Sequence, residues 1–143
     1  MRTQPQEVIA KLEADNSRLA KEKILLEAMN EGLDEFFEGL KMCLDKLYTF
    51  GVKQVPKKDE VISAQGCKWE VFKELAEKLN KRELTGHAAR DAINLVMSSA
   101  TAEQWNGFYR RILIKDLRCG VSEKTVNSVA KKNKFGKYMV PVF

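Results

Sequence analysis

Thr101-Ala102-Glu103-Gln104-Trp105-Asn106-Gly107-Phe108-Tyr109-Arg110-Arg111-Ile112-Leu113-Ile114-Lys115-Asp116-Leu117 decides the fold. Thr101 and Gln104 match a Thr-x-x-Gln capping box, in which each side chain satisfies the other residue's backbone N–H at a helix start. Behind it, Trp105, Phe108, Tyr109, Ile112 and Leu113 recur at steps of three and four, which is one face of a helix, and Leu117 extends the series. Gly120 is placed to end this helix as a left-handed C-cap. Ser122 is placed to cap a last helix with Val126 and Val129 inward.

The same period extends towards the N-terminus. Thr85 caps a helix with Ala88, Ala89, Ala92, Ile93, Val96 and Met97 inward, and Lys81-Arg82-Glu83-Leu84 links it to a stretch carrying Trp69, Phe72, Leu75, Ala76 and Leu79 that stops at Asn80. Residues 49–66 break the pattern: Gly51, Pro56, Gly66 and the run Lys57-Lys58-Asp59-Glu60 read as a long surface loop. Pro5 suits a first helical turn, with Val8, Ile9 and Leu12 on one face. Ser17 caps a helix with Leu19, Ile24, Leu25, Leu26 and Met29. Asn30 caps a third with Leu33, Phe36, Phe37, Leu40, Leu44, Leu47 and Tyr48, unless the two run on as one bent helix. The Leu-rich stripes do not sustain heptads, so they read as core. Strand-like alternation is confined to Met139-Val140-Pro141-Val142-Phe143, an extended segment. The expected fold is all-α, a compact multi-helix domain.

Composition narrows the function. At 143 residues, 44% apolar and 31% charged, with Gly 8 and Pro 3, the chain is one globular domain and not a low-complexity or disordered segment. No apolar run is long enough to cross a bilayer, and Met1-Arg2-Thr3-Gln4-Pro5 has no signal-peptide character, so a cytoplasmic protein is expected. The three cysteines, Cys43, Cys67 and Cys119, form no CxxC and read as reduced packing residues. His87 is the only histidine and reads as a surface or cap residue. GxGxxG, P-loop and HExxH patterns are missing. No catalytic and no metal-binding residue is expected.

Charge is unevenly placed. Residues 1–109 carry 16 basic and 18 acidic side chains, a net of −2, whereas residues 110–143 carry nine basic and two acidic, a net of +7. Such asymmetry suits a polyanion partner, although a basic stretch also serves as a solvated face. Two helix starts carry a glycine beside basic residues: Leu84-Thr85-Gly86-His87-Ala88-Ala89 and Leu117-Arg118-Cys119-Gly120-Val121-Ser122-Glu123-Lys124-Thr125-Val126. Free N–H groups, the positive end of the helix dipole and an unencumbered glycine make an anion site with few side chains. Ordinary helix junctions are built from the same residues. Trp105, Phe108 and Tyr109 read as core, not as base-stacking platforms.

Phe108-Tyr109-Arg110-Arg111-Ile112-Leu113-Ile114-Lys115-Asp116-Leu117-Arg118-Cys119-Gly120-Val121-Ser122-Glu123-Lys124-Thr125-Val126 resembles the end of the N-terminal DNA-binding domain of ATP-dependent DNA ligases. That pattern is a Leu-Arg-x-Gly-aliphatic turn followed by a helix start of Ser or Ala, Glu, Lys, Thr or Ser, and Val. Arg82-Glu83-Leu84-Thr85-Gly86-His87-Ala88-Ala89 is similar to the Leu-Thr-Gly-x-Ala-Ala segment of the T-even-phage branch. The match is firm over residues 81–130 and loose before that. The resemblance implies an all-α domain, residues 1–134, that binds duplex DNA at a nick through phosphates and the minor groove, without reading sequence. Its expected contacts are Thr85, Gly86, Arg118, Gly120, Ser122, Lys124 and Thr125, supported by Lys131, Lys132 and Lys134. His87 stands at a variable position and takes no family role. The Lys-x-Asp-Gly motif of the adenylated lysine is missing, so this chain alone is expected to be non-catalytic and to hold no cofactor. ATP and magnesium belong to the full-length parent, whose adenylation domain would begin in residues 135–143 after a linker, with an OB-fold domain beyond. A monomer in the cytoplasm is expected, the host's if the chain is phage-encoded. Two other readings remain: a helix-turn-helix regulator, with base contacts from the last helix, and a helical protein-interaction domain.

Overall fold

The computed structural model describes residues 3–52, 54–59 and 65–141. Glu60, Val142, Phe143 and the opening Met1-Arg2 lie outside the described residues. Among the described residues there are seven helices and no strand. They are α1 Pro5–Ala14, α2 Arg18–Glu31, α3 Asp34–Leu44, α4 Trp69–Asn80, α5 Gly86–Ser99, α6 and α7 Glu123–Lys132, with a 3-10 turn at Gly136–Tyr138. Helix α6 is one rod made of Ala102–Gln104, a π turn at Trp105–Tyr109 and Arg110–Leu113. No helix among the described residues is long and apolar enough to cross a membrane.

The centre of the molecule is α6. Its capping box forms as the sequence predicts: Gln104 N–H donates to Thr101 Oγ1 at 3.1 Å and Thr101 N–H to Gln104 Oε1 at 3.0 Å. In the π turn the Arg110 N–H reaches back five residues to the Trp105 carbonyl. Trp105, Phe108, Tyr109, Ile112 and Leu113 are all buried. Tyr109 stacks on Phe72 of α4 at 4.5 Å, and Phe36 of α3 meets Phe108 edge-on at 6.3 Å. Their polar ends are satisfied: Tyr109 Oη donates to the Cys67 carbonyl at 2.8 Å and Trp105 Nε1 to the Pro56 carbonyl at 2.8 Å. Gly39 lets α3 close on α6, since a Cβ there would fall 2.5 Å from Phe108 Cζ and 2.7 Å from Ile112 Cδ1.

Several boundaries depart from the expectation. Helices α2 and α3 are separate, divided at Gly32, whose φ of +73° closes α2 with hydrogen bonds from Gly32 N–H to Met29 O and from Leu33 N–H to Ala28 O. Asn30 therefore lies inside α2, and α3 begins after Leu33 with no side-chain cap. Helix α3 stops at Leu44, which leaves Leu47 exposed. Leu19 and Ala88 also face solvent. The 49–66 segment is not only a surface loop: Phe50, Val55 and Lys58 are buried in it. Lys58 donates to the Met97, Ser98 and Ala100 carbonyls at 2.8, 3.0 and 2.6 Å. A charged donor thus satisfies the free carbonyls at the end of α5, where the helix dipole is negative.

Gly120 does not end α6. Lys115 does, at φ +57°, with its N–H on Ile112 O and the Asp116 N–H on Arg111 O. The same closing motif ends α4 at Arg82 (φ +62°) and α7 at Lys134 (φ +63°). A left-handed non-glycine residue costs roughly 1–2 kcal/mol. At two of these sites the side chain offsets it. Arg82 Nη1 donates to Leu79 O at 2.7 Å and Thr49 O at 3.2 Å, and Lys115 Nζ donates to the Asp45 and Tyr48 carbonyls. Residues 135–141 lie against the helices: Tyr138 stacks on Phe37 at 4.3 Å, and the Asn127 amide exchanges two hydrogen bonds with the Val140 backbone at 2.6 and 3.0 Å.

Candidate nucleic-acid interface

Both helix starts singled out by the sequence are open. Thr85 and Ser122 have extended backbones just ahead of α5 and α7, but neither side chain caps its helix. Ser122 Oγ lies instead 3.4 Å from Thr125 Oγ1. The expected side-chain caps at Thr85 and Ser122 are thus corrected, in contrast with Ser17 and Thr101, which do cap. First-turn N–H groups with no side-chain acceptor can take an anion. Gly86 has φ +57° and nothing within 4 Å of where a Cβ would stand, so the approach is clear. His87, beside it, is exposed.

Gly120 has φ +69°, and beneath it lies Lys21, whose Nζ would be 3.1 Å from an added Cβ. Lys21 is only 9% exposed and donates to the Leu12 and Cys119 carbonyls at 2.6 and 2.7 Å. It ties the end of α1 to the turn before α7 and places a positive charge behind it. Sequence reasoning gave Lys21 no role. A signal existed, because Lys21 precedes Leu25, Ala28 and Met29 at helical spacing on the buried stripe.

Arg118 stands on the turn with φ +54°, held by its N–H to Asp116 Oδ1 at 3.1 Å. Its side chain is about half exposed, at 54%, and Nε lies 3.6 Å from Asp116 Oδ2. It borders two depressions. One holds the 118–122 turn with Lys115; the other holds Lys57, Asn106, Arg110 and Arg111. Lys124 is exposed and Thr125 half-buried on the first turn of α7. Lys131, Lys132 and Lys134 are exposed at the other end of that helix, about 15 Å away along ten residues. The expected residues therefore form three groups and not one point.

The groups are linked by residues the sequence reading did not select. Gly86 opens on a groove of about 670 Å³ shared by α5, with Arg90 and Asn94, and the 51–56 loop. Val55 of that loop accepts a 2.7 Å hydrogen bond from Arg110 Nε, and Arg110 shares its cleft with Arg118. Lys57 and Lys58 look alike in sequence, which gave no ground for choosing either as a site residue. The structure turns Lys58 inward and leaves Lys57 exposed.

Among the described residues no three His, Cys, Asp or Glu side chains gather as metal ligands. The three cysteines are free and buried, and burial pushes the Cys43 thiol up to about 12 and raises Cys67 and Cys119 as well. A protonated, enclosed thiol is a poor nucleophile.

No protein-family model matches the chain, and no curated protein matches it. Solved structures do. It is 61% identical to one named Pmar-Lig_PreS3, with a TM-score of 0.94 over 99% of this chain and 32% of that one. It is 60% identical to another named Pmar-Lig_Pre., again with a TM-score of 0.94, 99% of this chain and 32% of that one. The chain thus spans about a third of the length of each, and by their names it is the counterpart of one stretch of ligase-related proteins.

Proposed function

We propose that this chain is the N-terminal DNA-binding domain of an ATP-dependent DNA ligase of the T-even-phage type, binding nicked duplex DNA without sequence preference during replication and repair. The observation that carries this reading is the linked basic surface from Gly86 through Arg110 and Arg118 to Ser122, with uncapped helix starts at both ends. Donors of this kind grip phosphates and the sugar–phosphate edge of the minor groove. They position a duplex without distinguishing bases. The names of the solved neighbours support the ligase context. The expected contacts are Thr85, Gly86, Arg118, Gly120, Ser122, Lys124 and Thr125, with Lys131, Lys132 and Lys134 extending the grip along α7. Adenylation by ATP and magnesium, and nick sealing itself, belong to the adenylation and OB-fold domains of the parent protein.

A helix-turn-helix reading has a specific observation against it. Asn127 carries the amide on α7 best suited to a base edge, and both of its polar atoms are engaged by the Val140 backbone. Fluorescence anisotropy with a nicked duplex and the same duplex intact, in two unrelated sequences over a salt series, tests the proposal. Salt-sensitive binding to both sequences, equal or stronger at the nick, is expected. Sequence-selective binding, or no binding at low salt, would overturn it.

A further inference from the structure

A cleft of about 200 Å³ lies between the 54–59 loop and α6, lined by Lys57, Asn106, Arg110, Arg111 and Arg118. Among the described residues, four cations and one amide line it, and no carboxylate does. Gathering like charges at the wall of one cleft is unfavourable unless an anion enters. The arrangement is nevertheless held rigidly. The Asn106 amide exchanges two hydrogen bonds with the Lys58 backbone, both 2.8 Å, which fixes the loop that carries Lys57. The buried Lys58 ammonium anchors the same loop to the end of α5. Arg110 is oriented through Nε on Val55 O. Arg111 is oriented through Nε on Asn106 O at 3.2 Å and Nη1 on Leu117 O at 3.0 Å.

Two carboxylates touch this cluster from outside the lining, and neither neutralises it. Glu13 lies 3.2 Å from Arg111 and is 47% exposed, and Asp116 lies 3.6 Å from Arg118 and is 60% exposed. The Lys57 ammonium has no hydrogen bond or ion pair among the described residues. Arg118 adds an independent observation. It adopts a left-handed backbone that glycine would take without strain. Unlike Arg82 and Lys115, it closes no helix and holds no distant carbonyl. Its strained backbone is thus kept while its half-exposed side chain borders the cleft.

We infer that this cleft is a preformed seat for one phosphate group, gripped jointly by Lys57, Arg110 and Arg118, with Asn106 and Arg111 as positioning residues. That the phosphate belongs to a DNA strand rests on the function proposed above. Three cations on one phosphate release the counterions of one phosphate, so the seat has a countable signature: the slope of log K against log salt falls by about 0.9 for each phosphate that is no longer neutralised.

The test uses Lys57→Ala, Arg118→Gly, the double variant and, for comparison, Arg118→Gly with Lys124→Ala. DNA binding is measured over a salt series, and circular dichroism checks the fold. Each single change at the seat leaves two cations on the phosphate, so it is expected to weaken binding while lowering the slope by less than about 0.9, and the Lys57/Arg118 double by no more than about 0.9. The Arg118/Lys124 double, which touches two phosphates, is expected to lower it by about 0.9 to 1.8. In parallel, inorganic phosphate is titrated into the isotope-labelled wild-type chain while the arginine Nε–H signals are followed. Saturable shifts at Arg110 and Arg118 are expected, and they should vanish in Lys57→Ala/Arg118→Gly. A fall well above about 0.9 in the Lys57/Arg118 double would overturn the shared seat. Unchanged DNA affinity in Lys57→Ala beside weakened binding in Arg118→Gly would also overturn it, while leaving the proposed function standing. Saturable phosphate shifts without any DNA binding would remove the DNA reading and keep the anion seat. The absence of both would remove both.

Discussion

Replacing Lys58 with methionine separates two lysines that the sequence presents as equals. Methionine keeps the aliphatic stem and deletes the ammonium, so the carbonyls of Met97, Ser98 and Ala100 lose their shared donor. Ser98 is exposed and its carbonyl can turn to water, but Ala100 is fully buried and Met97 is partly so. Two acceptors left without partners cost about 1–2 kcal/mol each, partly offset because the charge no longer has to be desolvated. The expected loss is about 2–3 kcal/mol. With 143 residues the unfolding entropy is about 0.3 kcal/mol/K, so Tm should fall by about 7–10 °C. Urea unfolding followed by tryptophan fluorescence reads this directly, because Trp105 is bonded to the same loop through Pro56. Lys57→Met should do the reverse, leaving stability within about 0.5 kcal/mol and weakening DNA binding. A Lys58→Met protein as stable as wild type, or a Lys57→Met protein that loses as much as Lys58→Met, would refute the reasoning.

Gly39→Ala forces a methyl to within 2.5 Å of the Phe108 ring, and overpacking there should cost about 1–3 kcal/mol in denaturant unfolding. Lys134→Gly should move two readouts in opposite senses. It relieves φ +63° and raises stability by about 1 kcal/mol. It also removes a proposed phosphate contact and lowers the salt slope by about 0.9. Alkali should unfold the domain early. Burial raises Cys43 to about 12, Tyr48 to about 12 and Tyr109 further, so each holds its proton more tightly folded than unfolded. Their contribution is whole below about pH 9 and is lost as pH climbs towards 12, at up to about 1.4 kcal/mol per pH unit for each group neutral when folded and ionised when unfolded. Tm measured from pH 8 to 11 should fall progressively, and a flat profile would contradict the buried placement of these groups.

Period and capping made the helical scaffold readable. The Thr101/Gln104 box, the Ser17 cap and the stripe from Trp69 to Leu79 depend on neighbours within a few residues, and each stands where the sequence puts it. Helix ends were less readable, because glycine was the expected terminator while Arg82, Lys115 and Lys134 take that position. Two of these are chosen for how far their side chains reach, and reach is not a local property. The interior of the 49–66 segment was hidden for the same reason: Lys58 is buried only because carbonyls about 40 residues away receive it. For the candidate site, the glycine-bearing helix starts and Arg118 were visible in the sequence. The Lys57–Arg110 cleft was not, since the loop and α6 meet only in the folded chain.

Early and late segments of the chain meet across about 100 residues, and this bears on its synthesis. Lys21 is bonded to Cys119 across 98 residues and Asp34 to Tyr138 across 104. The first three helices, which leave the ribosome early, therefore wait for partners made last. Until residues near Tyr138 have emerged, Phe37 lacks the Tyr138 ring that stacks on it and α2 lacks α7. The helices themselves form from local contacts, but these distant pairings are completed only late. During translation the emerging chain has to be kept from associating through its exposed apolar faces. Nascent chains arrested before and after Tyr138 should differ sharply in protease resistance.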